Sequence, residues 1–220
     1  MKKYPFFIRV CKGAIKTFRK NRVEGTIKST PCVFLARHMN VKGVIRAFCD
    51  IPITVRPWAL AVFTNYESAK RHFNDYTFSI RMKKSKLFRV IFSPFCAVTL
   101  SYALKKLNAI PVYRGKDGAK SITTIKQSVK ALENGENLLI FPDVDYLDDT
   151  EKLSGEIYKG FALLDVAYFR RNGVHIPFVP IYINKNTKIL DALYLKENAT
   201  NLQKKEFFNN VISGIYQGKY

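Results

Sequence analysis

This sequence predicts an α/β fold, a single domain with a mostly parallel central sheet flanked by helices. Two observations predict it. Short apolar runs of strand length alternate along the chain with longer segments of helical period, the order that a parallel sheet covered by helices requires. The composition, 47% hydrophobic and 14% aromatic over 220 residues, is too apolar for a disordered chain, and the chain is long enough for one core.

Taken in order, residues 4–22 set Tyr4, Phe6, Phe7, Val10, Ile15 and Phe18 among lysines and arginines. This basic amphipathic segment reads either as a surface helix packed on the core or as an interfacial membrane anchor. Residues 31–36, apolar after a Gly/Ser/Thr-rich stretch, predict a buried strand ending at Arg37-His38-Met39-Asn40. A second strand is predicted at 53–55, just before Arg56-Pro57-Trp58. Residues 68–107 read as mostly helical, broken at Pro94. Their apolar part, 90–104, is fifteen residues long, short of a ~20-residue span. It reads as a buried helix or as a segment lying in a membrane interface. Residues 109–113 predict a strand that ends at Arg114-Gly115.

Ile122, Ile125, Val129 and Leu132 fall on one face of a helix over 121–134, with Gly135 as its stop. A strand at 138–141, a helix at 155–171, a strand at 176–183 and a surface helix with a frayed end over the last twenty residues complete the order. The expected organisation is a basic N-terminal segment over 1–30, the α/β domain over 31–185, and a helical extension of the same domain over 186–220.

Charge bounds the partners. Lys and Arg number 37 against 17 Asp and Glu, a net charge of +20, so the partner is expected to be anionic: nucleic acid, an acidic membrane surface or phosphorylated substrates. Nucleic acid is disfavoured, because the basic residues are spread along the chain and no RRM, KH or zinc-finger signature occurs. The closest of the four cysteines, Cys32 and Cys49, stand seventeen positions apart, so no zinc or redox pair is spelled out. Cys32, Cys49 and Cys96 lie among apolar neighbours and read as reduced small hydrophobes. The N-terminus lacks a long apolar run and an A-x-A-like cleavage site, so no secretory signal is expected.

In parallel sheets functional groups collect at the C-terminal ends of strands. Three predicted strands end in polar groups: His38, Arg114, and the pair Asp143 and Asp145. A histidine can act as general base near neutral pH, and an arginine can hold a phosphate through its forked donors. By itself His38 reads better as a satisfied, partly buried histidine than as a base, and Arg114 better as an ordinary surface arginine. His72 and His175 read as structural or surface residues, and the three histidines are too scattered for a metal-ligand pattern. Arg56 could face the same edge, and Trp58 reads as a core or interface aromatic. Asp143, Asp145, Asp148 and Asp149 form an acidic cluster that lacks the Gly and Glu of a calcium loop and reads as a solvated loop or as part of the site.

Four blocks in order carry a family resemblance: Phe34-Leu35-Ala36-Arg37-His38, Ala109-Ile110-Pro111-Val112-Tyr113-Arg114-Gly115, Ile140-Phe141-Pro142-Asp143, and Ile176-Pro177-Phe178-Val179-Pro180-Ile181. Over residues 30–185 the chain resembles the lysophospholipid acyltransferases of the PlsC type, the glycerolphosphate acyltransferases. The resemblance implies that family's fold. It also implies transfer of a fatty acyl group from a thioester, acyl-CoA or acyl carrier protein, to a hydroxyl of a lysophospholipid such as 1-acylglycerol-3-phosphate. His38 would then be the general base and Arg114 the phosphate binder. Gly115 would permit close backbone approach, and Lys116, Arg37 and Lys42 would add positive potential. No metal or other cofactor is implied beyond the thioester co-substrate. A cytoplasmic protein peripheral to the inner face of the cell membrane is expected.

Two departures stand out. The family's first block is His-x4-Asp, and here the fifth residue after His38 is Gly43. The third block's Glu-Gly-Thr-Arg is Asp143-Val144-Asp145-Tyr146, keeping only the acid at 143. Loss of the residue that orients a catalytic imidazole is costly, about 10⁴ in rate in the serine-protease case. Asn40, Asp143, Asp145 or a backbone carbonyl are the candidates to replace it. The competing reading is a catalytically silent member that binds anionic lipid or a membrane surface.

Overall fold

A computed structural model describes residues 4–17, 22–113, 118–143 and 157–219. The fold is α/β, with a mostly parallel sheet flanked by helices. The chain separates into two compact units, Met1–Val55 with Ile125–Tyr220, and Arg56–Thr124.

The larger unit holds β1 (Val23–Glu24), β2 (Val33–Ala36), β5 (Asn137–Ile140), β6 (Phe178–Ile183) and β7 (Thr187–Ile189), in the order β1-β7-β6-β2-β5. β2 runs parallel to both neighbours, with Val33 opposite Leu138 and Phe178, and Leu35 opposite Ile140 and Pro180. β6 turns back antiparallel into β7, and β1 pairs parallel with β7. Every residue of β2 and β5 is buried, the continuous apolar pattern of a strand covered on both faces.

Alternation along β2 sends side chains to two cores. Phe34 and Ala36 join Val179, Ile181 and Leu139 against Ala47 and Ile51, which belong to or directly follow α2 (Asn40–Asp50). On the other side Phe178 meets Phe207 of α7 (Asn201–Gln217), with ring centroids 5.6 Å apart, and Phe161 at 5.4 Å. Phe34 is fully buried, so Phe34→Ala costs about 3–5 kcal/mol. α7 begins in a capping box, Thr200 with Gln203, and buries Phe207, Val211 and Ile215. It is therefore half a core helix, not merely the surface helix that its Asn and Lys content predicts.

α1 (Phe6–Thr17) buries Ile8 and leaves Phe6, Phe7 and Val10 exposed, and just before it the Tyr4 hydroxyl oxygen accepts from Val55 N–H at 2.8 Å. α6 (Ala162–Asn172) follows a short 3-10 turn at Lys159–Phe161, later than the predicted start at 155, which lies outside the described residues. α5 (Gly118–Glu133) starts three residues before the predicted helix and ends one residue short of it. α2 and the short strands β1 and β7 have no counterpart among the predicted elements. β1 and β7 are too short to show a period, whereas in α2 Val41, Val44, Ile45 and Phe48 stand at helical spacings, an amphipathic signal present in the sequence.

In the smaller unit β3 (Val55–Leu60) pairs parallel with β4 (Ile110–Val112), Trp58 opposite Ile110. Arg56 and Trp58 therefore lie within a strand and not after one. Asn65 caps α3 (Tyr66–His72) by accepting from Glu67 N and Ser68 N. The chain then widens into a π-helix at Phe73–Arg81, and Ser85 caps α4 (Lys86–Lys106). Pro94 sits inside α4 without ending it. Phe73, Phe78, Phe88 and Phe92 pack ring to ring, centroids 5.6, 5.4 and 4.2 Å apart in sequence, a row that runs from the buried Phe78 out to the exposed Phe92.

α4 is not the buried helix that one reading of its composition allowed. Its packed side is Ser93, Ala97 and Leu104, while Leu87 is 71% and Phe95 69% exposed. By length and composition it is the single described helix able to cross a membrane.

Candidate active site

β2 and β5 are parallel neighbours, so their C-terminal ends emerge side by side. β2 releases Arg37 and His38, and β5 releases Phe141, Pro142 and Asp143. Asp143 is only 4% exposed, and its carboxylate accepts from the backbone N–H of His38 through both oxygens, at 3.0 and 2.9 Å. A charged acceptor makes this a strong bond across the two strand ends. It fixes where the His38 Cα sits. The half-buried imidazole meets the ring of Phe141 edge-on, centroids 5.4 Å apart and planes at 74°. The chain beyond is tied back: Asp143 bridges Ile157, and Tyr158 N donates to Pro142 O at 2.6 Å.

After His38, Met39 takes a left-handed conformation at φ 43, which turns the chain sharply into α2. This turn folds the carbonyls of residues 37 and 38 over the first turn of the helix. Gly43 sits beneath them, its N–H donating to Met39 O at 3.3 Å. A Cβ built on Gly43 would collide with the carbonyl oxygen of His38, and would lie 2.6 Å from that of Arg37. Glycine is thus required by close approach. The position where the resemblance looks for an acid has no room for any side chain unless the backbone moves.

The other expected site residues divide. Arg37 stacks its guanidinium on the ring of Tyr216 in α7, 4.7 Å from the centroid, a contact that no sequence spacing could announce. Lys42 is exposed on the first turn of α2. Arg114, Gly115, Lys116 and Asp145 lie outside the described residues, as do Asp148, Asp149 and the side chain of Asn40. Of the three strand ends expected to meet, those carrying His38 and Asp143 are joined by a hydrogen bond.

The remaining histidines are held by packing. His175 Nδ1 lies 2.8 Å from Asp165, which is 1% exposed and also accepts from Ile176 N at 2.8 Å. The ring stacks on Phe169 at 4.2 Å, and its Nε2 is buried. His72 packs against Phe63 and Tyr76, and burial lowers its pKa. Arg56 Nε donates to Asn108 O at 2.8 Å. Burial pushes the Cys32 thiol up to about 12 and raises Cys96, so neither is poised as a thiolate nucleophile. Among the described residues no cluster of His, Cys, Asp and Glu is arranged to hold a metal ion.

No protein-family model matches the chain, and no curated protein or solved structure matches it either.

Proposed function

We propose that the protein is an acyltransferase of the lysophospholipid type, moving a fatty acyl group from a thioester to the hydroxyl of an anionic acceptor such as 1-acylglycerol-3-phosphate. The observation that carries this reading is the His38–Asp143 connection at adjacent C-terminal strand ends, where α/β sheets put their chemistry. In the proposed reaction His38 takes the acceptor's hydroxyl proton as the oxygen attacks the thioester carbonyl. A tetrahedral intermediate forms and collapses, the carbon–sulfur bond breaks, and the imidazolium returns its proton to the departing thiolate. Asp143 is a positioning residue in this scheme, acting through the His38 backbone. Arg114, with Gly115 and Lys116, is proposed to hold the acceptor's phosphate, helped by Lys42. The net charge of +20 suits the acidic acceptor and a place on the inner face of the cell membrane.

A second reading, a silent protein that binds a lipid surface, is favoured by Gly43, since the position leaves no space for an acid to orient the imidazole. One assay separates the two: turnover of long-chain acyl-CoA with lysophosphatidic acid by the full chain. The enzyme reading expects turnover that falls by about 10²–10⁴ in His38→Ala. Absence of turnover in a folded wild type that still binds anionic vesicles selects the silent reading.

A further inference from the structure

We propose that the outward face of α4 is an interfacial seat for an anionic lipid bilayer, with the helix lying in the plane of the headgroup boundary. This deepens the acyl-transfer reading, on which it rests only for a lipid surface as partner.

The helix is built inside out. Leu87, Ile91, Phe95, Val98 and Tyr102 recur at spacings of four, four, three and four, one helical stripe, and all five are exposed. The opposite flank, packed within the unit against α3, presents Ser93 at 1% and Ala97 at 0% exposure. A helix shaped for water on its free side would reverse this, burying phenylalanine and showing serine. Contiguous apolar surface of this kind marks a docking face.

Charge identifies what docks. Between Tyr76 and Tyr113 there are seven Lys or Arg and no Asp or Glu. Lys83, Lys84 and Lys86 precede the stripe, and Lys105 and Lys106 end it. The ammonium groups of Lys84 and Lys106 lie over the rings of Phe88 and Tyr102, 5.5 and 5.4 Å from the centroids, with stems along the apolar surface and charge at its rim. A second copy of this chain would bring like charge to like charge. An anionic bilayer offers hydrocarbon to the stripe and phosphate to the lysines. Lying flat is favoured over spanning, because α3, with Glu67, Lys70 and Arg71, packs along α4 and would have to enter the hydrocarbon with it.

The test is co-sedimentation of the full chain with vesicles of phosphatidylglycerol and phosphatidylcholine, and of phosphatidylcholine alone, at low and high salt. Wild type is expected to prefer the anionic vesicles and to lose binding as salt rises. Phe95→Asp should lower partitioning by ~10-fold or more, since a desolvated carboxylate replaces a buried ring. Lys105→Glu with Lys106→Glu should remove the anionic preference. Both sites are exposed, so far-UV circular dichroism and thermal melts should match wild type. His38→Ala should bind as wild type does, which separates this proposal from failure of the acyl-transfer reading. Equal binding by Phe95→Asp overturns the proposal. So does binding abolished instead by Phe6→Asp with Phe7→Asp in α1, or concentration-dependent self-association that Phe95→Asp removes while vesicle binding persists.

Discussion

Two buried aspartates hold two histidine-bearing segments in different ways. Asp165 divides its oxygens, one to the His175 ring and one to Ile176 N, and the ring is then closed off by Phe169 and by burial of its outer nitrogen. Asp143 sends both oxygens to the main-chain N–H of His38, and that imidazole remains half-buried beside Phe141. An acid 2.8 Å from an imidazole nitrogen is the arrangement usually read as catalytic, yet here it belongs to the ring whose outer nitrogen is buried. The difference teaches that contact between acid and ring is not enough. A ring serves chemistry only if its second nitrogen can reach a substrate, and His175 lacks that.

The largest expected effect breaks the comparison directly. His38→Ala should lower acyl transfer by about 10²–10⁴ while leaving the thermal midpoint close to wild type, whereas His175→Ala should retain chemistry in whatever fraction stays folded. Next, Asp165→Ala should destabilise by about 2–4 kcal/mol in chemical denaturation, because it strips a half-buried histidine ring and a buried backbone N–H of their shared acceptor. Asp143→Ala should cost about 1–3 kcal/mol for the orphaned His38 N–H, and should lower turnover as well. In Asp143→Asn an acceptor oxygen survives, so stability should recover most of that loss.

Gly43→Asp sharpens the contrast further. It adds the acid that the resemblance lacks, yet it should destabilise by about 1–3 kcal/mol and not raise turnover, because its Cβ displaces the backbone that carries His38. A more active Gly43→Asp would show that the turn yields easily. The smallest effect concerns His72. Burial lowers its folded pKa, so the unfolded chain binds its proton first as pH falls. That contribution is complete above the unfolded value near 6.5 and is lost as pH drops through the folded value below it. Melts at pH 7.5 and 5.5 should therefore show a slightly smaller acid loss in His72→Phe, whose ring keeps the packing on Phe63 and Tyr76.

Much of the fold was legible. The continuous apolar runs that became β2, β5 and β6 could be read because a strand buried on both faces needs no polar alternation. Strand ends gave the candidate residues, since His38 and Asp143 each stand within three residues of such a run. α2 carried a helical signal in Val41, Val44, Ile45 and Phe48, but not the close fit of Gly43 beneath the carbonyls of residues 37 and 38, which no spacing announces. The continuity of α4 through Pro94 was hidden too. Proline removes one hydrogen bond from a helix, and ring packing by its neighbours Phe88 and Phe92 can offset that loss.

The sequence by itself determined the α/β class, the basic surface and the identity of the polar groups at the strand ends. These follow from composition and from local period, which act along the chain. Only the tertiary structure decided that Asp143 grips a backbone N–H, that Arg37 leans on Tyr216, that Gly43 admits no side chain, and that α4 turns Leu87, Ile91 and Phe95 outward. Each of those depends on which surfaces meet across long sequence separations, and a one-dimensional pattern does not record the distance between residues that meet only after folding.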